Sequence, residues 1–149
     1  MSKRVAQPEM NGAPQAVLDA CVLANFTLCD TLLRLAEPPR LFEPRWSQEI
    51  IRETSRTLEP KLGWPPSLIA RFEAELTAHF SEAWITGYEP LIAKMKNHWK
   101  DRHVLAAAVH AGAQIVLTSN LRDFKSTRAD RRKVPRCIRT IMTDDLVGR

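Results

Sequence analysis

The chain has 149 residues, 44% of them hydrophobic and 26% charged, with a formal net charge of +5. That length suits one domain, which buries about two thirds of its unfolded surface and needs no disulfide or metal staple to fold. Five Gly and ten Pro without a repeat exclude a collagen-like or low-complexity chain, and no apolar run approaches the ~18 residues that span a bilayer.

Residues 1–14 are polar, contain Pro8, Gly12 and Pro14, and are expected to form a loose N-terminal tail ahead of a single domain over 15–149. The start, Met1 to Glu9, carries positive charge with no apolar core behind it, so no secretory signal is expected and a cytosolic setting is. Ala16-Val17-Leu18 predicts a short strand that stops at Asp19. Leu23 to Leu35 has apolar residues at helical spacing and predicts one helix, ended by Pro38-Pro39. Leu41 to Trp46 is a second strand candidate. Ser47 is a good N-cap for a helix whose face is Ile50, Ile51, Thr54 and Leu58.

Gly63 to Ser67 predicts a turn, with Ser67 capping a helix that runs to Phe80. Ala83 to Thr86 predicts a third strand, and 87–100 is mixed. Asp101 opens an Ala-rich helix that closes at Gly112 as a left-handed terminator. Gln114 to Thr118 is the strongest strand, and Cys137 to Met142 reads as the last one. Strands and helices alternate at the spacing of βαβ units. The fold class is therefore α/β, with helices on both faces of a mostly parallel sheet.

Cys21, Cys29 and Cys137 are scattered and beside apolar stretches, so they read as small core residues. His98 reads as a loop residue, His103 as a helix residue pointing at the sheet, and His79 and His110 as helix surface, although His98 and His103 flank Asp101 as a base or metal ligand could. Trp46 and Trp84 read as core, whereas Trp99 beside Asp101 could stack on a base.

Charge is unevenly divided. Residues 1–91 hold 9 Lys+Arg against 12 Asp+Glu, while 92–149 hold 13 against 5. Arg122, Lys125, Arg128, Arg131, Arg132, Lys133, Arg136 and Arg139 crowd one stretch. An anionic partner such as nucleic acid fits that asymmetry, and so does a solvated basic loop.

In parallel α/β sheets the ligand site lies outside the carboxyl ends of the strands. Asp19 follows the first strand; Asn120 and Asp123 follow the Ile115–Thr118 strand. Right-handed crossovers bring helix N-terminal turns to the same edge, which recruits Asp101 and either Glu53 or Glu49. Each alone reads equally as a cap or solvated surface. Together they repel unless a cation neutralises them, and oxygen-only ligands suit Mg²⁺ or Mn²⁺. Such an ion can lower the pKa of a bound water and stabilise attack on phosphate, so a metal-dependent nuclease is one reading.

Six segments resemble the PIN-domain family, its bacterial VapC-like toxin branch in particular: Val17 to Leu23, Asp30 to Ala36, Trp46 to Glu53, Gly87 to Ile92, Lys100 to Ala108 and Leu117 to Phe124. The resemblance covers roughly residues 15–125. It implies a three-layer α/β/α sandwich with a parallel sheet and Mg²⁺- or Mn²⁺-dependent cleavage of RNA. Asp19, Glu53 and Asp101 match the family's three acids, with Glu49 the alternative register. Asn120 stands where many members carry a fourth Asp, with Asp123 the nearest remaining acid. Thr118 matches the hydroxyl that orients this end, and Arg102, Arg122, Lys125, Arg131 and Arg132 are the expected substrate contacts. A cognate antitoxin and a homodimer are implied partners, and no membrane is. Cys21 replaces the usual Asn of the first motif, Lys125 replaces the usual Pro, and the stretch to Arg136 departs from the pattern.

Two other functions use the same residues. A haloacid-dehalogenase-like phosphohydrolase would take Asp19 as nucleophile, but it needs an Asp where Cys21 stands. A catalytically weak RNA- or partner-binding module on the same fold is the other.

Overall fold

The structure, a computed structural model, describes residues 12–120 and the backbone of the strand at 139–142. In chain order the elements are β1 (Gln15–Leu18), α1 (Ala20–Leu23), α2 (Phe26–Leu35), β2 (Glu43–Ser47), α3 (Gln48–Leu58), α4 (Pro66–His79), β3 (Trp84–Ile85), α5 (Glu89–Ile92), α6 (Arg102–Ala111), β4 (Ile115–Thr118) and β5 (Arg139–Met142). The five strands form one sheet in the order β3-β2-β1-β4-β5, and every pair is parallel.

The chain steps outward from β1 through β2 to β3, then crosses back to add β4 and β5 on the far side of β1. With right-handed connections the first crossovers cover one face of the sheet, and α5 and α6 cover the other. The strand order reverses between β1 and β4. This reversal leaves a crevice beyond their carboxyl ends, because the flanking loops depart in opposite directions.

The core explains the local choices. Val17, Leu18 and Val116 are fully covered, as expected for central strands with helices on both faces. Val104 to Ala108 on α6 are all buried, and the three alanines let that helix approach the sheet closely. Trp46 is fully buried and meets Phe80 and Trp84 edge-on, with centroids 6.0 and 6.3 Å apart. Cys29 is buried, and burial pushes its thiol up to about 12. Gly112 ends α6 at φ 68°, a conformation that costs a residue with a Cβ.

Several boundaries differ from the expected ones. The helix predicted from Leu23 to Leu35 starts only at Phe26, as α2, and a separate short helix, α1, ends at Leu23. Asn25 interrupts the run because its side chain accepts from the Leu28 amide and caps α2. Ser67 does not cap α4; the helix begins at Pro66, whose fixed φ suits the first turn. The mixed stretch 87–100 contains the short helix α5 and ends in a 3₁₀ turn, Trp99–Asp101. The last strand starts at Arg139; Cys137 lies outside the described residues. Most of the expected N-terminal tail does too.

Candidate metal centre

Asp19 stands directly after β1, at the reversal in strand order. Its amide donates to the Leu117 carbonyl at 3.0 Å, which continues the ladder toward β4 for one more residue. The side chain is only 4% exposed and is held on both oxygens. Oδ1 accepts from the Ala20 amide at 2.7 Å, and Oδ2 accepts from the Thr118 hydroxyl at 2.8 Å. The Cys21 thiol also points at Oδ2, at 3.5 Å. Burial pushes the Asp19 carboxyl above the usual range. Hydrogen bonds from Thr118, Ala20 and Cys21 pull it back, and the charge of Glu53 pushes it up again.

Glu53 projects from α3, whose start is fixed by the Ser47 hydroxyl accepting from the Ile50 amide at 3.2 Å. Asp101 closes the 3₁₀ turn ahead of α6 and is mostly buried. It is a helix-start residue as expected, but its side chain makes no capping bond to α6. Its backbone is pinned instead: Asn97 Nδ2 donates to its carbonyl at 2.9 Å, and its amide donates to the His98 carbonyl at 3.0 Å. Asn97 is itself buried.

One ligating atom each from Glu53, Asp101 and His103 lie within 4.8 Å of one another. His103 Nε2 is 2.9 Å from Glu53 Oε1. Burial opposes protonation of the imidazole, but its bond to Glu53 and the charges of Glu53, Glu49 and Asp19 outweigh that and raise its pKa. Glu49, the alternative register for the helical acid, pairs instead with Arg52 at 3.8 Å one turn earlier.

The expected reading of His103 as a helix residue turned to the sheet is therefore incomplete. It lies on α6 and is buried, but its ring nitrogen meets the acids. Cys21 departs further from expectation. It is exposed rather than core, and its sulfur lies 3.5 Å from Asp19 Oδ2 and 3.6 Å from the Thr118 hydroxyl. The Ser119 amide donates to that sulfur at 3.5 Å, so Cys21 links the ends of β1 and β4. Although the residue as a whole is exposed, its sulfur is partly covered, and that desolvation, then the Asp19 charge, raises its pKa.

Thr118 is fully buried, and its hydroxyl accepts from the Asn120 amide at 3.0 Å while donating to Asp19. Asn120 lies at the exposed rim beside this pair. Arg102 Nε donates to the Asn97 carbonyl at 3.0 Å, so part of its guanidinium braces the Asp101 loop. Asp123, Arg122, Lys125, Arg131 and Arg132 lie outside the described residues. A groove of about 590 Å³ opens beside His103, walled by Glu49, Arg52, Tyr88 and Trp99. Trp99 is 68% exposed there, with the Lys100 ammonium 5.4 Å from its ring centre.

Fold and site together define a parallel α/β domain in which Glu53, Asp101 and His103 cluster near the crevice where the strand order reverses. No protein-family model matches the chain. Over 69 residues it is 45% identical to a protein of Mycobacterium tuberculosis (strain ATCC 25618 / H37Rv) named "Putative ribonuclease VapC50"; the match covers 46% of this chain and 39% of that relative. The matched region is thus about two fifths of the curated relative's length. The fold is similar to a chain in the crystal structure of VapBC2 from Rickettsia felis bound to a DNA fragment from their promoter. The TM-score is 0.54 at 10% identity, covering 86% of this chain and 98% of that one. The sequence similarity is thus to part of a putative ribonuclease, and the fold similarity is to a chain of a VapBC2 complex.

Proposed function

We propose that the chain is a metal-dependent endoribonuclease of the VapC kind, the toxin of a toxin–antitoxin pair. The observation that carries this reading is the convergence of Glu53, Asp101 and His103 within 4.8 Å of one another, with Asp19, which is outside that set, at the carboxyl end of β1. Carboxylates so placed repel, and a divalent cation relieves the repulsion. The donor set is rich in hard oxygen, which suits Mg²⁺ or Mn²⁺. Asp19, Glu53 and Asp101 would hold the ion, with Asn120 and Asp123 at the rim. When bound, it supplies charge neutralisation at phosphate and a more acidic water.

The remaining work falls to the chain itself. Thr118 and the Ala20 amide fix the Asp19 carboxylate so that it does not rotate away. The pinned Asp101 loop holds its carboxylate at the start of α6. Arg102 and the basic residues of 122–139 attract the phosphate backbone, an interaction that salt weakens. Trp99 offers a flat face to an unstacked base. A cognate antitoxin would block the chain by inserting a segment into or beside the acidic site.

The test is cleavage of a cellular RNA pool by the purified protein freed of antitoxin, with Mg²⁺, with Mn²⁺ and with EDTA, beside Asp19→Asn and Asp101→Asn. Metal-dependent cutting lost in both variants is the expected result. Cutting that survives Asp19→Asn points to a contaminant and overturns the mechanism. RNA retention without cutting supports the binding module instead.

A further inference from the structure

We propose that His103 is a nitrogen ligand of the same centre, and that the site therefore selects a first-row transition ion such as Mn²⁺ over Mg²⁺. The inference deepens the nuclease reading and rests on its metal site. Three observations carry it.

The first is distance. Two donors each ~2.1 Å from one ion, at right angles, lie ~3.0 Å apart. His103 Nε2 and Glu53 Oε1 are 2.9 Å apart, and an Asp101 oxygen completes a set within 4.8 Å. The pair already has the spacing of neighbouring ligands.

The second is rigidity. Asp101 and His103 leave the same helix start, which Asn97 and Arg102 brace from below. His103 is only 9% exposed, so the ring has little room to swing into solvent. Its other nitrogen, Nδ1, is buried with no hydrogen-bond partner among the described residues. Nε2 is the nitrogen that faces the carboxylates, 2.9 Å from Glu53 Oε1. With its lone pair on an ion, Nδ1 carries the ring proton.

The third is ligand chemistry. Mg²⁺ favours an all-oxygen octahedron and keeps its waters, whereas imidazole suits transition ions. One buried imidazole among two carboxylates tilts the preference without excluding Mg²⁺. The competing role for His103 is a plain hydrogen bond that steadies Glu53, and the experiment separates the two.

The full-length protein is loaded with Mn²⁺ after chelation, and bound ion is read by electron paramagnetic resonance. Pulsed spectra of wild type are expected to show ¹⁴N coupling from a directly bound imidazole. His103→Gln keeps an amide that can bond Glu53 but removes the imidazole. It is expected to lose the coupling and to lower the Mn²⁺/Mg²⁺ affinity ratio, measured by Mg²⁺ displacement, on the order of tenfold or more. Bound Mn²⁺ without ¹⁴N coupling in wild type overturns the proposal and leaves the nuclease reading standing. So does an unchanged ratio in a folded His103→Gln. Absence of Mn²⁺ binding, or binding that Asp19→Asn and Asp101→Asn do not weaken, overturns the metal site itself. The wild-type spectrum decides even if the variant fails to fold.

Discussion

Thr118 at the end of β4 donates its hydroxyl to Asp19 Oδ2 at 2.8 Å, although the two residues are 99 positions apart. The bond spans the reversal in strand order and ties the two central strands together at the site. Thr118→Val keeps the shape and removes the donor. It leaves a buried carboxyl short of a partner, which costs about 1–3 kcal/mol. Chemical denaturation is expected to show that loss. A Mn²⁺ titration is expected to show weaker binding by roughly 10- to 100-fold, since Thr118 orients the proposed ligand Asp19.

Asp19 predicts an opposite effect on stability. Burial raises its folded-state pKa above the ordinary 3.8, so the charged form costs stability in the metal-free protein. The penalty is absent below pH 3.8 and grows as pH rises through the folded value. Above the folded value it is present in full. Metal-free Asp19→Asn is therefore expected to melt above wild type at pH 7 and to lose that advantage in acid. Metal binding by the same variant is expected to collapse. A lower melting temperature at pH 7 would contradict the role of burial.

His103 gives a second pH dependence, in a different window. Its folded pKa lies above 6.5, with the raising contributions of Glu53, Glu49 and Asp19 outweighing burial. The protonated ring stabilises the metal-free fold below pH 6.5, and that contribution is lost as pH rises through the folded value. Melting of wild type without metal is expected to fall above pH 6.5. His103→Gln flattens that part of the profile.

Cys21 bonds Asp19 through sulfur at 3.5 Å, a weak donor. Cys21→Asn supplies an amide that can donate to Asp19 while its oxygen accepts from Ser119. Stability is expected to rise by about 0.5–1.5 kcal/mol, the worth of one ordinary hydrogen bond. Urea denaturation measures it, and an unchanged midpoint would show that the thiol already suffices.

Ser47→Ala removes the cap of α3, the helix that carries Glu53. The expected cost is about 1 kcal/mol of stability. RNA cleavage is expected to persist at saturating metal, because the cap sets the helix and touches no ligand.

The elements were legible where the local signal is strong. The Ala16–Leu18 and Ile115–Leu117 runs are apolar on both faces, which fits only central parallel strands here. Ser47 and Gly112 marked their helix ends by chemistry that acts within four residues. Asn25 was missed because its cap interrupts an otherwise continuous apolar period. Topology offered Asp19 and Asp101 as candidate acids at one sheet edge and left Glu53 and Glu49 as alternatives, between which only the resemblance chose.

His103 was less legible for a physical reason. It lies two residues from Asp101 astride a helix start, where the Asp101 backbone at ψ 11° is not yet helical. The i, i+3 and i, i+4 rules for shared faces therefore do not pair them. Its partner Glu53 is 50 residues away on another helix.

By itself, the sequence determined the alternation of strands and helices and the parallel sheet, because periodicity and capping are local properties, and it offered the acids as candidates. Only the tertiary structure decided that Cys21 leaves the core for the site, that Thr118 grips Asp19, and that an imidazole stands among the carboxylates. Each depends on the ends of β1, β4, α3 or α6 meeting in space, and that meeting follows from packing the whole chain rather than from any one segment of it.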